Sequence, residues 1–100
     1  MTTSRVDIEI PNAVAVEITA EALTAELSDG RTISVPVAWY PRLVHATARE
    51  RVNWQFIGKG QGIHWDDLDE DIGVEGLLAG RHSGESQPSF KRWLERREKK

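Results

Sequence analysis

Five carboxylates in six positions, Asp66-Asp67-Leu68-Asp69-Glu70-Asp71, form the densest group of chemically active side chains in this sequence. Clustered carboxylates suit hard cations, but a calcium loop needs glycine at its sixth position and glutamate at its twelfth. Counting from Asp66, those positions hold Asp71 and Leu77. The run therefore reads as a solvated acidic edge before a helix N-terminus, where negative charge is favoured. A second group, Gly58, Gly60 and Gly62, has the look of a phosphate loop, yet no Lys-Ser or Lys-Thr follows and position 63 is Ile. Turn chemistry explains it better. His45, His64 and His82 are far apart in sequence, and His64 with Asp66 could pair as base and orienter. No serine or threonine near them belongs to a nucleophile motif. No catalytic, metal-binding or cofactor-binding residue is assigned, and the chain is read as non-enzymatic.

What remains is recognition chemistry. Trp39-Tyr40-Pro41-Arg42 places two aromatics, a turn former and an arginine in four residues, and aromatics and arginine are enriched at interface hot spots. Near the C-terminus, Phe90, Trp93 and Leu94 fall on one helical stripe. The candidate partner-binding set is therefore Trp39, Tyr40 and Arg42 as anchors, Asp66, Asp67, Asp69 and Glu70 as electrostatic complement, and Phe90, Trp93 and Leu94 as a docking stripe.

The elements that must position these residues can be read from alternation and breaks. Val6, Ile8 and Ile10 suggest an edge strand over 6–10, ended by Pro11-Asn12. Val14, Val16 and Ile18 alternate next, which places Ala13, Ala15 and Glu17 on the other face. Leu23, Ala25 and Leu27, then Ile33 and Val35, continue as two strands around Ser28-Asp29-Gly30. A two-residue loop there would put Glu26 opposite Ile33. A three-residue loop with Gly30 left-handed pairs Ala25 with Ile33 and Leu23 with Val35, so the apolar residues share a face. The longer loop is expected. Pro41 starts a short helix that exposes Arg42 and His45 and buries Leu43 and Val44. Thr47-Ala48-Arg49-Glu50 is a capping box for a helix through Val52 and Asn53. Short strands are expected at Trp54–Ile57 and Ile63–Trp65, and Ile72, Val74, Leu77 and Leu78 suggest a helix ending at Gly80. Domain organisation follows: an α+β domain at 1–80, a linker at 81–88, and a basic amphipathic helix at 89–100 capped by Ser89.

Composition sets the broad class. The chain has 100 residues, 39% hydrophobic and 29% charged, which suits one globular domain. It has no cysteine, so thiolate metal sites and cysteine nucleophiles are excluded. Without a long apolar run or a signal-like N-terminus, no membrane span is expected and the cytoplasm is the expected location. Residues 1–90 carry seven Lys/Arg against fourteen Asp/Glu, whereas 91–100 carry six basic and two acidic residues. An acidic body steers toward basic partners and makes nucleic acid an unlikely one.

Two blocks also resemble a known family. Ser28-Asp29-Gly30-Arg31-Thr32-Ile33-Ser34-Val35-Pro36 followed by Ala38-Trp39-Tyr40-Pro41-Arg42-Leu43 is similar to the signature of the bacterial domain-of-unknown-function family twenty-four forty-two. So is Ile63-His64-Trp65 with Leu68-Asp69-Glu70-Asp71-Ile72 and Val74-Glu75-Gly76-Leu77-Leu78. The resemblance implies a small α+β fold, an antiparallel sheet of N-terminal strands and hairpin beside short helices, and antitoxin-like partners. It carries no catalytic residues. The expectation is a cytoplasmic, antitoxin-like protein-binding module covering a small basic partner, with a possible homodimer through the C-terminal helix. The alternative is a DNA-linked regulator acting through that basic helix.

Overall fold

The computed structural model describes residues 9–98. The strand expected over 6–10 lies mostly outside these residues, and Glu9 and Ile10 are not in a strand. Two three-stranded antiparallel sheets follow one another along the chain. The first has the order β1-β2-β3, with β1 at Ala13–Ile18, β2 at Ala22–Leu27 and β3 at Thr32–Pro36. The second has the order β4-β5-β6, with β4 at Gln55–Ile57, β5 at Gly62–Trp65 and β6 at Glu70–Gly73. Between them lie a short 3-10 turn at Val37–Trp39 and the helices α1 (Pro41–Val44) and α2 (Ala48–Val52). After β6 come α3 (Val74–Ala79) and α4 (Gln87–Glu98). The class is α+β, and no described helix is long and apolar enough to cross a membrane.

The β2–β3 hairpin adopts the register that apolar matching requires. Leu23 faces Val35 and Ala25 faces Ile33. The Leu27 amide donates to the Arg31 carbonyl at 2.8 Å, and Gly30 has a φ of 93°, which glycine adopts without a steric penalty. β1 departs from simple alternation. A bulge between Ala13 and Ala15 inserts Val14 as an extra residue, so Ala13 turns into the core and Val14 is 58% exposed. The expected inward face of β1 is therefore right at Ile18 and reversed at its start.

That reversal serves the junction between the sheets. The Ala13 amide donates to the Gly60 carbonyl at 2.7 Å. Gly60 has a φ of 105°, and a Cβ there would lie 2.2 Å from the Ala13 carbonyl oxygen. The glycine run is thus the tight turn joining β4 to β5, and it lets the two sheets approach. One apolar core spans both: Leu23, Ala25, Leu27, Val35 and Val37 pack with Leu43, Ile63, Trp65, Leu68, Ile72, Val74, Leu77 and Trp93.

Two expected elements are corrected. Ile72 belongs to β6, and the helix begins only at Val74, with Gly73 as its N-cap and left-handed Gly80 as its C-cap. The acidic run consequently forms the β5–β6 turn and the first half of β6, and does not cap a helix. The expected linker is also pinned. The Ser83 amide donates to the Trp39 carbonyl at 3.0 Å, and His82 stacks on Trp39 with centroids 4.2 Å apart. Helix α4 starts two residues earlier than expected, and the Ser86 hydroxyl, instead of Ser89, accepts from the Ser89 amide at 3.2 Å.

Candidate functional site

The acidic turn is held from beneath by Arg42. Pro41 opens α1, and the following residue points inward, so Arg42 is 9% exposed while Val44 is 43% exposed. Leu43 is buried and His45 exposed as expected, but Arg42 and Val44 exchange places, because the guanidinium finds partners in the interior that a valine could not use. Its Nη1 donates to the carbonyls of Leu68 (2.8 Å) and Asp69 (3.2 Å), and its Nε donates to Glu85 Oε1 at 2.9 Å. Nη2 completes a bidentate pair with Glu85, a geometry that arginine matches uniquely well. The hydrogen-bonded Arg42 guanidinium holds the Glu85 carboxyl below its ordinary range. Leu68 is fully buried and Asp69 takes a φ of 51°. Anchored at Leu68 and by its carbonyls, the turn leaves Asp66, Asp67 and Asp69 exposed, and Asp71 is exposed on β6.

His64 stands beside these acids. The β5–β6 register sets it directly opposite Asp71, whose carboxylate meets its Nδ1, while Nε2 lies 2.6 Å from Asp66 Oδ1. Hydrogen bonds donated to Asp71 and then to Asp66 raise the His64 pKa. With both ring nitrogens engaged by carboxylates, His64 has no free nitrogen to act as a base. It ties the turn to β6. Asn53 Nδ2 donates to Asp67 Oδ2 at 2.9 Å, tying the turn to the end of α2.

Beside Asp66 lies Trp54, backed by Phe56 on the core-facing side of β4. Trp54 and Phe56 meet edge to face with centroids 4.9 Å apart, and both are half-buried. Asn53, Trp54 and Gln55 share a small surface hollow with His64 and Asp66. An indole and the Asp66 carboxylate bordering one hollow offer a lysine or arginine both ion pairing and a cation–π face.

On the other side of β6, Glu70 borders a cleft of about 160 Å³ that includes Tyr40, Gly76 and Arg81. Burial pushes its carboxyl up to about 7, against the attraction of Arg42. Burial, followed by the charge of Glu70, also raises the Tyr40 phenol, and its hydroxyl donates to the Arg81 carbonyl at 3.3 Å.

The candidate contact residues therefore divide. Asp66, Asp67 and Asp69 share one exposed turn, and Glu70 turns half-buried beneath it. Trp39 is half-buried against His82, whereas Tyr40 and Arg42 are interior. Trp93 is 5% exposed, with the guanidinium carbons of Arg42 and Arg97 over its ring at 5.1 and 4.7 Å. Phe90 and Leu94 are half-buried along α4. Sequence reasoning missed Trp54, Phe56 and the pairing of His64 with Asp71. The cross-strand partner was legible only to a reading that recognised β6.

Comparison with known proteins places this geometry. Residues 13–83 match the family model described as "Protein of unknown function (DUF2442)". The chain belongs to the DUF2442 family. The DUF2442 segment holds both sheets, Arg42 and the acidic turn, and it ends at Ser83, before Glu85 and α4. Two solved structures are similar in fold. A protein of unknown function from Rhodospirillum rubrum is 25% identical with a TM-score of 0.65, and the match covers 77% of this chain and 95% of that one. An uncharacterised protein from Chromobacterium violaceum is 20% identical with a TM-score of 0.62, covering 73% of this chain and 69% of that one. No curated protein matches the chain.

Proposed function

We propose that this DUF2442 protein is a non-enzymatic binding module of antitoxin-like type that covers a small basic protein. The observation that carries this reading is an anchored, exposed acidic turn with an indole at its edge: Asp66 and Asp67, with Asp71 joined to Asp66 through His64, and Trp54 bordering the hollow that includes Asp66. Carboxylates steer a basic partner and fix its register, while aromatic area supplies the apolar contact on which affinity depends. The turn is preorganised by Arg42, His64 and Asn53, so little ordering entropy is lost on binding.

The test is comparative capture from the native cell extract. Immobilised wild-type protein retains one small basic protein, releases it at raised salt, and loses it in the Asp66→Asn/Asp67→Asn variant or in Trp54→Ala. A retained protein that is acidic, or one held equally by both variants, contradicts the proposal.

A further inference from the structure

Helix α4 turns Trp93 and Arg97 to the body of its own chain. Arg97 pairs with Glu50 at 2.9 Å, and Phe90 packs against His45 with centroids 5.3 Å apart. A second stripe flanks these contacts, and its Leu94 and Glu98 share a groove with His45, Glu50 and Arg97. At about 100° per residue, Gln87, Lys91, Leu94 and Glu98 fall within one narrow arc, while Arg92 and Arg96 lie on the opposite side of the helix. Leu94 borders two grooves. One, of about 580 Å³, runs along Gln87, Pro88, Phe90 and Lys91. The other, of about 310 Å³, includes His45 and Glu98. A half-buried leucine between two grooves makes a ridge that a second ridge can pack beside.

We propose that this face of α4 binds the same face of a second copy of the chain, as an antiparallel, two-fold helix pair. Charge complementarity selects this occupant. Lys91 and Glu98 are seven residues apart on the stripe, so a two-fold axis passing beside Leu94 sets Lys91 of each copy against Glu98 of the other. The stripe is thus neutral and self-complementary, unlike the cationic opposite side with Arg92 and Arg96. Each helix stays docked on its own body through Trp93 and Glu50, so the contact joins two closed subunits without exchange of the helix. An isologous contact of this kind closes at two copies and leaves no free end for a filament. The dimer stripe contains none of the acidic-turn residues, so its failure leaves the proposed partner binding intact.

Sedimentation equilibrium of the full chain tests the pairing through charge. Lys91 and Glu98 are both exposed, so neither substitution disturbs the core. Wild type is expected to dimerise, and Lys91→Glu, which sets Glu against Glu twice, is expected to weaken the dimer about tenfold. Glu98→Lys should weaken it similarly, and the double variant Lys91→Glu/Glu98→Lys should restore it. A wild-type protein that stays monomeric overturns the proposal. So does a dimer indifferent to both single variants, or one that the double variant fails to restore.

Discussion

Arg42 carries a permanent charge into the interior, and its partners explain how the fold tolerates it. Two carbonyls and a bidentate carboxylate replace the lost water, as a buried charge requires. Arg42→Ala should cost about 3 to 5 kcal/mol in urea denaturation, since it strands Glu85 and two carbonyls. A double variant that also carries Glu85→Ala should lose much less than the sum of the singles. Glu70 presents the opposite case, a carboxyl half-buried with its pKa pushed up from 4.5 to about 7. The folded state therefore holds a proton that the unfolded chain releases between those values, and stability falls as pH rises through that window. Glu70→Gln should be more stable than wild type above pH 7, by roughly 3 kcal/mol at most. The difference should vanish near pH 4, and chemical denaturation at several pH values reads it directly. None of this was legible from residue types. Arg42 is expected from sequence as a partner-binding anchor and instead lies in the interior; an arginine after Trp-Tyr-Pro looks the same in sequence whether it meets a partner or its own core.

Elements were more legible where local chemistry decides alone. The Thr47–Glu50 capping box is present on both of its sides, with the Glu50 amide to Thr47 Oγ1 at 3.1 Å and the Thr47 amide to Glu50 Oε1 at 2.9 Å. The hairpin register followed from apolar matching around Gly30. The bulge at Val14 was invisible because it answers to Gly60, forty-six residues away. β6 was hidden because a strand ending at Gly73 runs straight into α3, and the joined apolar spacing imitates one helix. Helix α4 offers two predictions. Trp93 belongs to the core, so Trp93→Ala should cost about 3 to 5 kcal/mol, far more than truncation of a freely tethered helix would. Its second tether is Glu50, whose carboxyl the Arg97 hydrogen bond holds down from 4.5 to about 2. A depressed carboxylate stabilises the fold above its ordinary pKa and loses that contribution as pH falls toward 2. Acidification through that window should loosen α4 before the sheets melt, and the early loss should disappear in Glu50→Gln. Amide hydrogen exchange across residues 87–98 follows it.

At the scale of the whole molecule, charge and anchoring are divided along the chain. The family segment carries eleven Asp/Glu against six Lys/Arg, whereas α4 carries four Lys/Arg against two Asp/Glu. The segment between them is a strap tied at Trp39 and Arg42, although its glycine and serine content reads as a loose linker. Composition reports how a segment behaves when nothing holds it, and here Trp39, His82 and Glu85 hold it. The domain class, the acidic body and the amphipathic last helix could all be read in advance. The side of that helix that meets the core, and the aromatic neighbour of the acidic turn, needed the fold. The central claim is that Asp66, Asp67 and Asp71 with Trp54 form the surface that receives a basic protein. The most direct measurement is a ¹⁵N NMR titration of the chain with the basic protein that it captures. The account predicts chemical-shift changes concentrated at residues 53–56 and 64–71 that diminish as salt is raised. Changes centred on the β1–β2–β3 sheet or on α4, with 64–71 unmoved, would contradict it.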